Sequence, residues 1–265
     1  MKVSALSANA DPRPLVAHVL YRFDTGGLEN GVVNLITRLP AERYRHAVIS
    51  LTEITSFSRR IERDDVQLFA LNKPPGQGLW LAPRMRRLLR QLRPAIVHTR
   101  NLGALEMNLP AAWAGVPVRV HGEHGWDVHD PDGRSRKCRF VRRLYRPLVH
   151  QQIALSQQLQ RYLIDHVGVP NERVAQIYNG VDTNRFHPAP RGREPIAGSP
   201  FGAPGLRLIG TVGRLQTIKN QVLLAQAFVR ACELAPAARA RLRRHRLRHP
   251  HHRRRARSRS RRWRT

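Results

Sequence analysis

Arg214 and Lys219 stand five residues apart in LRLIGTVGRLQTIKN, which runs from Leu206 to Asn220. An apolar run (Leu206, Leu208, Ile209, Val212) leads into Gly213, after which Val222, Leu223, Ala225, Phe228 and Val229 recur at helical spacing. Strand, glycine turn and helix are expected in that order, with the two cations at the junction. Backbone N–H groups at such a junction face an anion bound at the strand's carboxyl end. A guanidinium grips two oxygens and an ammonium adds a point charge, so the pair suits a diphosphate. Two cations on a solvated turn would share the same spacing.

A second candidate is the glycine pair Gly26–Gly27 in YRFDTGGLEN. It follows the apolar run Leu15 to Leu20 and precedes Leu28, Val32, Leu35, Ile36 and Leu39 at helical spacing. Without side chains there, a phosphate or sugar can approach the backbone and the helix N-terminus. The pair is not a GxGxxG fingerprint, which argues against a nicotinamide enzyme. A pair serving only a sharp turn is the alternative.

The third is HGEHGWDVHDPDG, which places His121, His124 and His129 with Asp127, Asp130 and Asp132 in one short stretch. These are metal-binding residue types, but no HExxH spacing is present and a loop fixes no tetrahedral geometry. A polar loop at a strand's carboxyl end, with one histidine facing a substrate crevice, is the preferred reading.

The elements that must position these groups alternate. Strand-like runs cover Leu15 to Leu20, His46 to Leu51, Val66 to Leu71, Ala95 to Thr99, Val118 to Val120, Gln151 to Leu155 and Val174 to Tyr178. Most are separated by helix-length segments, which implies right-handed crossovers and a parallel, doubly wound sheet. Ligands then bind at the carboxyl ends of its strands. Two of the expected helices are strongly basic. Leu79 to Arg93 carries Arg84, Arg86, Arg87, Arg90 and Arg93 beside its apolar face. Arg134 to Pro147 sets Val141, Leu144, Tyr145 and Leu148 against Arg139, Arg142, Arg143 and Arg146. Such helices can rest on anionic lipid, or simply show water a cationic side.

The chain's 265 residues carry 47 Lys plus Arg against 18 Asp plus Glu, a net charge of +29. From Arg239 to Thr265 there are 14 Arg and no acid, so residues 1 to 238 still hold +15. A basic body is drawn to phosphates on nucleotides, nucleic acid or anionic membranes. Cys138 and Cys232 are too few for a disulfide framework, which fits a reducing cytosol. The apolar region at the amino terminus is too short for a signal peptide, and no apolar run is long enough to span a bilayer.

FDTGGLENGVVNL, EHGWDVHDPDG, IALSQQLQRYL, QIYNGVDTNRFHP and GTVGRLQTIKNQ, in this order over about residues 14 to 233, resemble the family 4 retaining glycosyltransferases. The nearest resemblance is to bacterial transferases of exopolysaccharide loci. The resemblance implies an α/β chain with a Rossmann-like doubly wound parallel sheet, the N-terminal half of a GT-B fold, facing a second Rossmann-like domain. It implies a nucleotide-diphosphate sugar as co-substrate, a glycan or lipid-linked acceptor and no metal. By the same carry-over, Gly26 and Gly27 match the glycine loop approached by donor phosphate and acceptor. His124 matches the histidine that bonds the transferred sugar, Arg214 and Lys219 match the diphosphate clamp, and Asn179 and Asp182 fall in a structural NGVD segment.

The expected organisation is a flexible 1–13, an acceptor-side domain over 14–187, a linker over 188–205, a fragment of the donor-binding domain over 206–238 and an Arg-rich tail over 239–265. The family's donor-binding glutamate pair has no counterpart after Glu233. The abrupt turn to Arg, His, Pro and Ser leads to the expectation that the tail is a frameshift product, that it is disordered, and that this chain has little or no transferase activity. A cytoplasmic protein, in contact with the inner membrane face through its basic helices, is expected. Nucleic acid would be bound only non-specifically, through the tail. A basic nucleic-acid-binding or membrane-binding protein without catalysis is the competing reading.

Overall fold

The computed structural model describes residues 11–76, 78–127, 130–188, 209–213, 215 and 219–234. Arg214, His129, most of the expected linker and the Arg-rich tail lie outside the described residues. Those described group into two compact units that divide between His187 and Pro188.

The first unit is built on seven strands: β1 (Leu15–Leu20), β2 (Arg45–Ser50), β3 (Gln67–Ala70), β4 (Ile96–Arg100), β5 (Val118–Glu123), β6 (Gln151–Ala154) and β7 (Val174–Gln176). They form one sheet in the order β3-β2-β1-β4-β5-β6-β7, and every neighbouring pair is parallel. All seven match runs expected from the sequence. A parallel strand covered on both faces reads as an unbroken apolar run, and all six residues of β1 are buried. The strand order reverses between β1 and β4, where crossover connections diverge and leave a crevice at the carboxyl edge.

The helices of this unit are α1 (Gly27–Arg38), α2 (Ala82–Leu92), α3 (Leu102–Leu105), α4 (Asn108–Trp113), α5 (Arg136–Tyr145) and α6 (Gln157–Arg161), the last running on as a wider turn over Tyr162–Val167. Leu81, Met85 and Leu89 of the α2 region and Met107 and Ala111 around α4 pack on Ala17, Val19, Ala47, Ile49 and Val97 on one face of the sheet. On the other face, Val32, Val33 and Ile36 of α1 pack with Leu20, Phe23, Val48 and Phe57. A third cluster joins Leu159, Tyr162, Leu163 and Val167 to Ala154 and Val174.

One expectation needs correction. The helix expected over Arg134 to Pro147 forms, yet its faces are not those assigned from sequence. Arg142 points inward and is 3% exposed, because a buried carboxylate on β5 receives it, while Phe140 and Leu144 are 65% and 57% exposed. In the second unit, α7 (Gln221–Leu234) forms where the helix was expected, with Asn220 Oδ1 accepting from the Leu223 backbone N–H at 3.3 Å. Of the strand expected before it, Leu206 to Leu208 lie outside the described residues, and at 209–212 Ile209 and Val212 are exposed.

Candidate active site

Since all seven strands run the same way, Gly26 and Gly27 (after β1), Asn101 (after β4) and His124 (after β5) share one edge of the sheet. Gly26 caps α1 in an extended conformation and Gly27 opens the helix. A side chain at Gly27 would meet nothing within 4 Å, so the helix entrance is open there. At Gly26 the carboxylate of Glu29 folds back against the position a Cβ would take. An anion arriving at this N-terminus therefore has to move Glu29 aside.

Asn101 ties β4 to β5. Its backbone N–H donates to the Gly122 carbonyl at 2.8 Å, and its Oδ1 accepts from the His124 backbone N–H at 2.7 Å. Asn101 does so at φ 56° and ψ 168°, a strained conformation that residues with a side chain rarely adopt. The His124 backbone is thereby fixed beside the β1/β4 reversal. Its ring is largely enclosed, and burial, with the nearby Arg100 charge, lowers its pKa from 6.5 to about 3. His124 is neutral at pH 7.

Behind His124 lies a polar row that composition and spacing did not reveal. Alternation along the strands puts His18 of β1, His98 and Arg100 of β4 and Gly122 of β5 on the same face, with His18 paired in register to His98 and Arg100 to Gly122. His18 Nε2 stands 3.1 Å from His46 Nδ1, and the two rings stack. The Arg100 guanidinium reaches His18 Nδ1 at 3.3 Å and His98 Nδ1 at 3.2 Å. It is 3% exposed and makes no ion pair among the described residues. Burial pulls its pKa down to about 9, which leaves it charged at pH 7. Burial and the Arg100 charge hold both His18 and His98 well below the ordinary histidine range.

On the opposite face of β5, His121 and Glu123 serve the scaffold. His121 Nδ1 is 2.8 Å from Thr99 Oγ1, which also accepts from Asn108 Nδ2 at 2.9 Å. His121 Nε2 lies 3.5 Å from Glu123, too far for more than a weak contact. The strong partner of Glu123 is Arg142 on α5, whose Nε and Nη2 donate to the two carboxylate oxygens at 2.6 and 3.2 Å. Burial alone would raise the Glu123 carboxyl, but the contacts with His121 and Arg142 hold it at about 2.

Elsewhere in the histidine and aspartate stretch Asp132 is exposed, and Asp127 and Asp130 shape the loop. Asp127 and Asp130 form an isolated bridge, and Asp130 Oδ1 accepts from the Ser135 backbone N–H at 2.8 Å. Among the described residues no group of three His, Cys, Asp or Glu is placed to hold a metal ion. Asp182 pairs with Arg38 at 3.2 Å and accepts from the Asn184 and Arg185 backbone N–H groups, while Asn179 is exposed beside it. Lys219 is exposed in the second unit.

The open edge at the strand reversal of a Rossmann-like sheet is where doubly wound α/β domains bind their ligands. The model of the glycosyltransferase family 4 domain matches residues 25–185, and the chain belongs to that family. Among solved structures, a glycosyltransferase from Rickettsia africae matches at 16% identity over 68% of this chain and 47% of its own, with a TM-score of 0.52. HepE of Anabaena, in complex with UDP and glucose, matches at 19% identity over 68% of this chain and 48% of its own, with a TM-score of 0.49. The chain thus spans about half the length of these structures, and the Rickettsia match shows the shared fold. Comparison with curated proteins gives no match.

Proposed function

We propose that this chain carries the acceptor-side domain of a glycosyltransferase that moves a sugar from a nucleotide-diphosphate sugar to a glycan or lipid-linked acceptor in polysaccharide synthesis. The observation that carries the reading is the shared carboxyl edge of Gly26, Gly27 and His124 at the β1/β4 reversal, within the family-matched residues. Loss of the diphosphate leaves positive charge at the anomeric carbon. A neutral His124 can bond the sugar without repelling that charge, whereas an imidazolium would oppose it. The open backbone at Gly27 admits the sugar or phosphate to the start of α1.

The leaving diphosphate gains negative charge as the bond breaks, and in this reading Arg214 and Lys219 neutralise it without a metal ion. Each charge-assisted hydrogen bond contributes roughly 1.5–3 kcal/mol, so Arg214→Ala or Lys219→Ala is expected to weaken nucleotide-diphosphate binding about tenfold or more. Calorimetric titration with UDP and GDP measures this. Equal affinities for the native chain and both variants would remove the clamp from the account.

A lipid-linked acceptor would give the basic helices a place. Phe140 and Leu144 project from α5 on the same side as the exposed Arg136, Lys137 and Arg143, a pattern suited to an anionic bilayer surface. The proposed contact is peripheral, at the inner membrane face, and among the described residues no helix is long and apolar enough to cross a membrane. The chain is expected to pellet with phosphatidylglycerol-containing vesicles and not with neutral ones. The double variant Phe140→Ser, Leu144→Ser should lose most of that binding. Unchanged pelleting of the variant would exclude α5 as the contact.

A further inference from the structure

The row of buried histidines has a direction. An arginine guanidinium only donates hydrogen bonds, so each ring nitrogen it reaches must accept. Arg100 reaches Nδ1 of both His18 and His98. In a neutral ring the proton then sits on Nε2. For His18 this Nε2–H donates onward to His46 Nδ1 at 3.1 Å, which places the His46 proton on its own Nε2. For His98 the Nε2–H is enclosed and has no hydrogen-bond partner. The same is true of His124 Nε2.

Those two nitrogens border the same spot. A Cβ built on Gly122 would stand 2.6 Å from His124 Nε2 and 3.1 Å from His98 Nε2. Only glycine lets both rings lean over the end of β5 in this way. One nitrogen is bound to be a donor, and the other is free to accept. An enclosed N–H without a partner costs on the order of 1–3 kcal/mol, which favours any small adjustment that pairs the two.

We propose that His98 is a positioning residue for His124: locked by Arg100 with its proton on Nε2, it donates across Gly122 to His124 Nε2, directly or through one water, and so leaves the His124 proton on Nδ1. The ligand-facing histidine then presents an N–H, rather than a lone pair, from its Nδ1 side. The consequence for sugar binding rests on the glycosyltransferase reading; the tautomers themselves do not.

Long-range ¹H–¹⁵N correlation spectra of the full chain, without substrate, test this directly, since protonated and bare ring nitrogens resonate far apart. The expected result is protonated Nε2 and bare Nδ1 in His98, with the reverse in His124, unchanged between about pH 8 and pH 6. His98→Gln keeps an N–H near the Nε2 position and should preserve the His124 pattern. His98→Phe removes the donor and should shift both His124 nitrogens toward averaged positions. Finding His98 protonated on Nδ1 in the native chain, or the same His124 pattern in His98→Phe, would overturn the proposal. If His98→Phe does not fold, the native spectrum and His98→Gln still decide it. A chain that binds no nucleotide sugar yet shows these tautomers would sink the transferase reading and leave this inference standing.

Discussion

Lowering the pH from about 7.5 to about 5.5 is expected to cost this fold roughly 4–6 kcal/mol, a large share of an ordinary domain's stability. Four histidines are responsible. His18 and His98 are held well below the ordinary range, His46 is lowered to about 4 and His124 to about 3, with burial the largest cause in each. Arg100 adds to the shift at His18, His98 and His124, while at His46 Arg63 lowers the value and Asp65 opposes it. At pH 5.5 these rings stay neutral in the folded chain but take up protons once unfolded. The unfolded state then binds more protons, so stability falls as pH drops below about 6.5, by on the order of 1 kcal/mol per histidine at about pH 5.5. Urea unfolding followed by circular dichroism at the two pH values measures the difference. A loss no larger than one histidine's share would mean that the row is hydrated or already charged.

Removing one member of the Glu123–Arg142 pair is expected to destabilise the first unit by about 3–5 kcal/mol. Both side chains are nearly fully enclosed, at 1% and 3% exposure, and they meet through two hydrogen bonds. The Arg142 guanidinium also lies 5.5 Å from the centre of the Tyr162 ring, linking α5 to the third apolar cluster. Arg142→Met would leave a carboxylate buried without its partner, and the chain must then protonate it or open the β5 end to water. Glu123→Met leaves the guanidinium in the same position. The double variant buries two apolar side chains and should recover most of the loss, because the desolvation of both charges disappears with them. Chemical unfolding of the two single variants and the double one settles the sign. Single losses below about 1 kcal/mol would show that water reaches the pair.

How much of this was legible varied by element. The seven strands were readable because burial on both faces leaves an apolar signature that survives the histidines inside them. The short helices α3 and α4 leave no readable pattern, since Gly103 and Pro110 interrupt the stretch and four or six residues carry too little period. On α5, arginines occupy both sides, so periodicity could not tell which one turns inward. That choice belongs to Glu123, which sits on another element. Gly26, Gly27 and His124 were visible as loop residues, and parallel strand direction was enough to put them at one edge. Arg100 and His98 were not, because their meaning arises only when β1 and β4, distant in sequence, become neighbours. Arg214 lies outside the described residues, so its part in the clamp rests on the resemblance.

The central claim, that the carboxyl edge at the β1/β4 reversal receives a nucleotide-linked sugar, is tested most directly by titrating the ¹⁵N-labelled chain with UDP-glucose and GDP-mannose while following its amide resonances. The account predicts saturable shifts at the Gly26, Gly27 and His124 amides with one of the two, and none at the far ends of the strands near Arg13, Arg45 and Arg93. Saturable shifts confined to those amino-terminal ends, or no saturable change at the glycine pair and His124 with either sugar nucleotide, would contradict it.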